Sequence, residues 1–145
     1  MYAQYRRSKP SRRFLATILV AWPLLVPASG ASAAPADASV AELMSRDLIS
    51  GPEKEVVMLT VTYPAAGSSL PHRHDAQVFV YVLEGELTMQ VRGGQPVTLG
   101  AGQTFYEAPA DIHVVSANRS TSAPAKILVV MIKDKGKPAS RPATD

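Results

Sequence analysis

Gly67-Ser68-Ser69-Leu70-Pro71-His72-Arg73-His74-Asp75-Ala76-Gln77-Val78-Phe79-Val80-Tyr81-Val82-Leu83-Glu84-Gly85 runs from a polar turn into an unbroken apolar segment. Within it, 78–83 is β-branched, aromatic or Leu at every position, which predicts a strand buried on both faces. Glu84-Gly85-Glu86 then turns the chain. Leu87, Met89 and Val91 alternate with Thr88, Gln90 and Arg92, the period-2 pattern of a half-buried strand. Upstream, residues 55–63 read as a strand that Pro64 closes. Downstream, Arg92-Gly93-Gly94-Gln95-Pro96 is a turn, and further strands are expected at 97–99, 104–107, 112–116 and 126–133. Val40–Met44 reads equally as a helical turn or a first strand. After residue 48 no stretch carries a helical period, and no internal repeat is evident. The fold class is therefore all-β, a sandwich or barrel of short strands.

The chain ends are of different composition. Arg6, Arg7, Lys9, Arg12 and Arg13 precede the first acidic residue, Asp37. An apolar run, Phe14 to Val26, and small residues, Ala28 to Ala34, follow them. A basic, then apolar, then small-residue order is the pattern of a secretory signal peptide. The apolar run is too short and too broken by Pro23 for a spanning helix, which needs about 20 residues. Cleavage after Ala33 or Ala34 is expected, with no stable membrane anchor afterwards. Ser11-Arg12-Arg13-Phe14-Leu15 is an incomplete twin-arginine signal, so general secretion to a periplasmic or extracellular location is the expectation.

Residues 1–33 carry five of the fifteen Lys and Arg, leaving ten against twelve Asp and Glu, so the +3 of the full chain becomes −2. No basic stripe or nucleic-acid motif remains, which excludes nucleic acid as a partner. With no Cys there is no disulfide, thiolate metal site or cysteine nucleophile. Residues 34–39 read as a flexible leader and 134–145 as a polar tail. No phosphate loop, nucleophile elbow or paired catalytic carboxylates appear.

Histidine is left as the metal-binding resource, at His72, His74 and His113. On a strand, residues two apart project to the same face, with Cα atoms roughly 6.6 Å apart. His72 and His74 could therefore share one ion, although two exposed turn histidines would look the same from composition alone. Imidazole suits Fe, Cu, Ni and Zn.

Residues 67–85 resemble the first motif of the cupin superfamily: Gly, five residues, His-x-His, three or four residues, Glu, six residues, Gly. Gly102-Gln103-Thr104-Phe105-Tyr106-Glu107-Ala108-Pro109-Ala110-Asp111-Ile112-His113 is similar to the second: Gly, five residues, Pro-x-Gly, two residues, His, three residues, Asn. Asn118 follows one residue late. The resemblance implies a small double-stranded β-helix, the cupin jelly-roll barrel, over 40–133, with a metal held by His72, His74 and His113.

The departures bear on the ligand set. Counted back from Gly85, the motif's Glu falls at Val78, which cannot bind metal. Gln77 is the candidate fourth ligand if a bulge after His74 turns its amide oxygen inward. Glu107 is expected at a solvated edge. Ala108 and Ala110 replace the second motif's Pro and Gly, and Gly67 to His72 is one residue short. Arg73 should point away from the metal, Met58 and Met89 should fill the core, and Asn118-Arg119-Ser120 should be an unused glycosylation sequon.

Three imidazoles with open positions match catalytic rather than structural metal sites. Some cupin dioxygenases, including thiol- and β-diketone-cleaving ones, resemble this in using three His. The expected function is an exported, quercetin-dioxygenase-like metal cupin acting on a small organic molecule. Fe(II) is the expected metal, with Mn, Ni, Cu and Zn as alternatives. Without an anionic ligand such a site would favour anionic or enolate substrates. The competing readings are a metal-dependent isomerase or lyase and a non-catalytic binding cupin. The two-faced 78–83 strand also suggests a homodimer in which a second subunit covers one sheet.

Overall fold

The computed structural model describes residues 37–143. The expected signal peptide, the start of the leader (34–36) and residues 144–145 lie outside them. Among the described residues the chain forms β1 (Ser39–Leu48), β2 (Gly51–Tyr63), β3 (His72–Arg73), β4 (Gln77–Glu84) and β5 (Glu86–Val91). It continues as β6 (Val97–Gly100), β7 (Thr104–Glu107), β8 (His113–Asn118), β9 (Ala125–Asp134) and β10 (Arg141–Pro142). Two five-stranded sheets result, ordered β1-β2-β9-β4-β7 and β10-β3-β8-β5-β6. Every ladder is antiparallel. This is the expected all-β jelly roll.

The alternation visible in the sequence sorts side chains between interior and exterior. Val57, Leu59 and Val61 of β2, Val78, Val80 and Val82 of β4, and Ile127, Val129 and Met131 of β9 line the inside of the first sheet. Leu87 and Met89 of β5 and Leu99 of β6 meet them from the second. Leu87, Met89 and Val82 are fully buried.

The expectation that 78–83 is buried on both faces is corrected. Val78, Val80 and Val82 point inward, while Phe79, Tyr81 and Leu83 remain 43%, 45% and 39% exposed on the outer face. A run apolar on both faces thus covers only one of them within this chain. The segment around 40–44 resolves as strand, in the long ladder β1 makes with β2.

The expected polar tail also differs from the structure. Asp134 ends β9, and residues beyond it fold back so that β10 pairs with β3, Arg141 opposite Arg73 and Pro142 opposite His72. Arg141 clasps Asp75 through both guanidinium and carboxylate ends, with Nη2 3.0 Å from Oδ1. Ala139 packs against the core. Nearby, buried Lys133 donates to Glu55 and, at 2.6 Å, to the Lys137 carbonyl.

Two buried polar residues tie loops to the barrel. Tyr63 Oη and Ser116 Oγ are hydrogen-bonded at 2.6 Å, and burial pushes the Tyr63 phenol up from its ordinary pKa. Asn118 Nδ2 donates to the Pro64 and Ala123 carbonyls at 2.9 and 2.8 Å, while its Oδ1 accepts from the Ser120 amide. The sequon asparagine is therefore an internal clamp.

Candidate metal centre

The three histidines come together in the second sheet. His72 in β3 stands directly opposite His113 at the start of β8. His74 follows β3 at the same parity as His72, and Asp75 then takes a left-handed backbone (φ 52°) before β4 begins. Asp is among the few residues that adopt this conformation readily. The His72 ring centroid lies 4.8 Å from that of His74 and 5.1 Å from that of His113. One ring nitrogen from each of the three lies within 4.8 Å of the others.

Backbone carbonyls fix the tautomers of two of these rings. His72 Nδ1 is 2.7 Å from the Leu70 carbonyl, and His74 Nδ1 is 2.7 Å from the Ala139 carbonyl. A carbonyl only accepts, so each Nδ1 carries the proton and donates it. Each neutral ring then presents Nε2 as a lone pair, the form a metal needs. Burial, the largest influence, lowers the His72 pKa; the neighbouring His74 and His113 lower it further, so the ring stays neutral more readily than a free imidazole.

Glu107 lies beside the three histidines, and here the expectation of a solvated edge is wrong. It is 2% exposed, closing β7 on the inner face. Its Oε1 is 3.2 Å from His113 Nδ1 and its Oε2 3.7 Å from His74 Nε2. Burial works to raise the Glu107 pKa, but the adjoining His113, with His74 and His72, brings it net below the ordinary carboxylate value. Glu107 Oε2 and the Nε2 of His113 are both buried and without a hydrogen-bond partner. Orphaned buried polar atoms are rare because each is costly. A cation among these donors would satisfy them, so the residues present fit a divalent metal.

Gln77, the candidate fourth ligand, does not join them. It is exposed at the start of β4 and pairs with Ile132 on the outer-face parity, while Val78 takes the inward position. The left-handed turn at Asp75 is completed before β4 starts, so no bulge brings Gln77 in.

The cluster opens onto a cavity of about 620 Å³. Most of its wall is aliphatic, from Leu59, Val61, Val80, Ile127 and Val129, with Tyr63 and Ser69 adding hydroxyls. Leu70, Pro71 and Arg141 line it and are exposed, which places a mouth beside the β3–β10 pair. The C-terminal segment that forms this rim had no signature in the sequence beyond a polar composition.

The family model described as "Cupin domain" matches residues 59–131, half of the chain. This chain belongs to the cupin family. The solved structures similar to this cupin include DMSP lyase DddQ from Ruegeria pomeroyi DSS-3, at 22% identity and a TM-score of 0.57. That match covers 73% of this cupin and 51% of DddQ. Recombinant oxalate oxidase in complex with glycolate matches at 23% identity and a TM-score of 0.58, over 78% of this cupin and 58% of the oxidase. A cupin domain from Bordetella pertussis Tohama I matches at 19% identity and a TM-score of 0.55, over 69% of this cupin and 97% of that chain. The cupin thus spans just over half of the two enzymes and nearly all of the single-domain structure. At these identities the likeness is one of fold. No curated protein matches the sequence.

Proposed function

We propose that this cupin is an exported metal-dependent dioxygenase acting on a small, largely apolar organic molecule. The observation that carries the reading is the convergence of His72, His74 and His113, at least two of them held as neutral Nε2 donors, beside an aliphatic cavity. A nitrogen- and oxygen-rich donor set suits first-row divalent metals, and Fe(II), when bound, would supply redox chemistry with dioxygen. The residues of the chain do the remainder. The carbonyls of Leu70 and Ala139 hold two rings in the ligating tautomer. Leu59, Val61, Val80, Ile127 and Val129 bind the apolar body of the substrate and exclude water around it. Glu107 sets a negative charge beside the imidazoles, which weakens the case for strongly anionic substrates and favours neutral, enolisable ones.

The test is oxygen uptake by protein loaded anaerobically with Fe(II), offered a panel of small enolisable carbonyl compounds and thiols. Uptake that depends on Fe(II), on one of these compounds and on His72 supports the proposal. Turnover without oxygen uptake, equally good with Zn, would establish the isomerase or lyase reading instead. Stoichiometric metal and ligand binding without turnover would establish the binding cupin. Manganese, nickel and copper loading in the same assay fixes the metal.

The proposal includes export and self-association. Residues 1–33 have the composition of a signal peptide, and fractionation of the producing cell should find the protein outside the cytoplasm. Phe79, Tyr81, Leu83 and Tyr106 form an exposed apolar stripe on β4 and β7 that a second copy would cover. A monomeric mass by light scattering at micromolar concentration would remove the dimer.

A further inference from the structure

The cupin pattern takes its carboxylate from the position Val78 occupies here. Val78 and Glu107 are direct partners in the β4–β7 ladder. Both point into the barrel, at 1% and 2% exposure. Directly opposed residues on one face have Cβ atoms about 4.5–5.5 Å apart, a gap the Glu side chain can span. We infer that Glu107 is the carboxylate ligand of this metal centre, delivered from β7 across the ladder from the β4 position where the pattern would place it. The inference rests on metal binding by the three histidines and not on the reaction that follows.

The arrangement of protons argues for ligation over mere support of a histidine. His74 donates through Nδ1 to the Ala139 carbonyl, so its Nε2 faces Glu107 as a lone pair. Glu107 Oε2 is likewise an acceptor and has no hydrogen-bond partner. Two acceptors therefore confront each other at 3.7 Å inside an apolar barrel, too far apart for a hydrogen bond and with no proton between them. A cation relieves that opposition. Neighbouring ligand atoms around one ion, each about 2.1 Å from it, lie roughly 3.0–3.4 Å apart in octahedral or tetrahedral geometry. The 3.7 Å between Glu107 Oε2 and His74 Nε2 is about 0.3 Å above that range. Glu107 joins the set through Oε2, with Oε1 remaining beside His113.

Titration of the metal-free full chain with Co(II), followed by its visible ligand-field bands, tests this without any assay of turnover. Wild type should bind one equivalent. Glu107→Val and Glu107→Gln should each lose at least about tenfold in affinity and each alter the bands, and the altered bands separate a ligand from a partner of His113, whose loss by itself costs about 10–100-fold in affinity. The double exchange, Val78→Glu with Glu107→Val, keeps the same pair of side chains in the wall and returns the carboxylate to β4. It should restore affinity to within about tenfold of wild type, which also shows that the barrel tolerates the substitutions. Glu107→Gln binding Co(II) with unchanged bands would overturn the inference whatever its affinity, since the ion would then have the same ligands without the carboxylate. Wild type that takes up no Co(II) would overturn the metal centre and this inference together.

Discussion

Ending the chain after Pro138 should weaken metal binding although no proposed ligand is removed. Residues beyond Pro138 supply the Ala139 carbonyl that accepts from His74 Nδ1, the β10 pairing with β3, and the Arg141–Asp75 pair. Lys137 is kept because its carbonyl accepts from Lys133. Losing one neutral hydrogen bond costs about 0.5–1.5 kcal/mol net, or roughly 2- to 13-fold in an equilibrium constant. Partners of metal-bound histidines are measured at roughly 10–100-fold in metal affinity. The two ranges meet at about tenfold, the loss expected here. The Arg141–Asp75 pair should contribute little of it, since both side chains are nearly half exposed, at 43% and 48%. Such surface pairs are worth about 0–1 kcal/mol. Arg141→Ala in the full chain should therefore hold metal within about threefold of wild type. Isothermal titration with Mn(II) on wild type, the shortened chain and Arg141→Ala gives all three values. A shortened chain that is folded by circular dichroism and binds Mn(II) as tightly as wild type would refute the argument that Ala139 sets the His74 tautomer.

Leu87→Ala, at a fully buried position in the barrel, should destabilise by about 2–5 kcal/mol in urea unfolding through lost burial and the cavity left behind; a cost under about 1 kcal/mol would mean the site collapses freely. Gly85→Ala should cost at least about 1–2 kcal/mol by the same measurement, because Gly85 has a φ of +77° and a Cβ there would lie 2.8 Å from that of Ala125; an unchanged midpoint would contradict the β4–β5 turn geometry. Hydrogen bonding from Lys133, with Ser45 second, holds the Glu55 carboxyl below the usual carboxylate range. Because the folded pKa is depressed, the stabilisation is full above the unfolded value, near 4.5, and is lost as pH falls through the folded one; Glu55→Gln should flatten the acid limb of stability against pH, and an identical limb would reject the role given to this pair.

What the sequence made legible follows from which interactions are local. His72 and His74 share a face by strand parity alone, and the turns around Gly85 and at 92–96 set the strand lengths between them and His113. Metal ligands two residues apart, and a third at fixed spacing from Gly102, need no tertiary information to be found. Glu107 did. Its chemistry depends on lying opposite Val78, twenty-nine residues earlier in the chain, and register between β4 and β7 is set by packing. One local signal did exist: Phe105 packs against the core, and Glu107 is two residues further along the same strand, so parity alone turns it inward. The rarity of buried carboxylates argues against that parity, yet a buried carboxylate among imidazoles is the very case in which that rarity misleads. Gln77 fails by the same rule read the other way, since Val78 is needed inside and its neighbour must face out. The C-terminal rim had no comparable signal. Ala139, Arg141 and Pro142 are held by one carbonyl, one ion pair and two paired residues, none of which imposes a periodicity on a polar sequence. A metal site assembled on regular strands is therefore readable in its strand-borne histidines, while the groups that fix their protons and balance their charge come from contacts between distant segments.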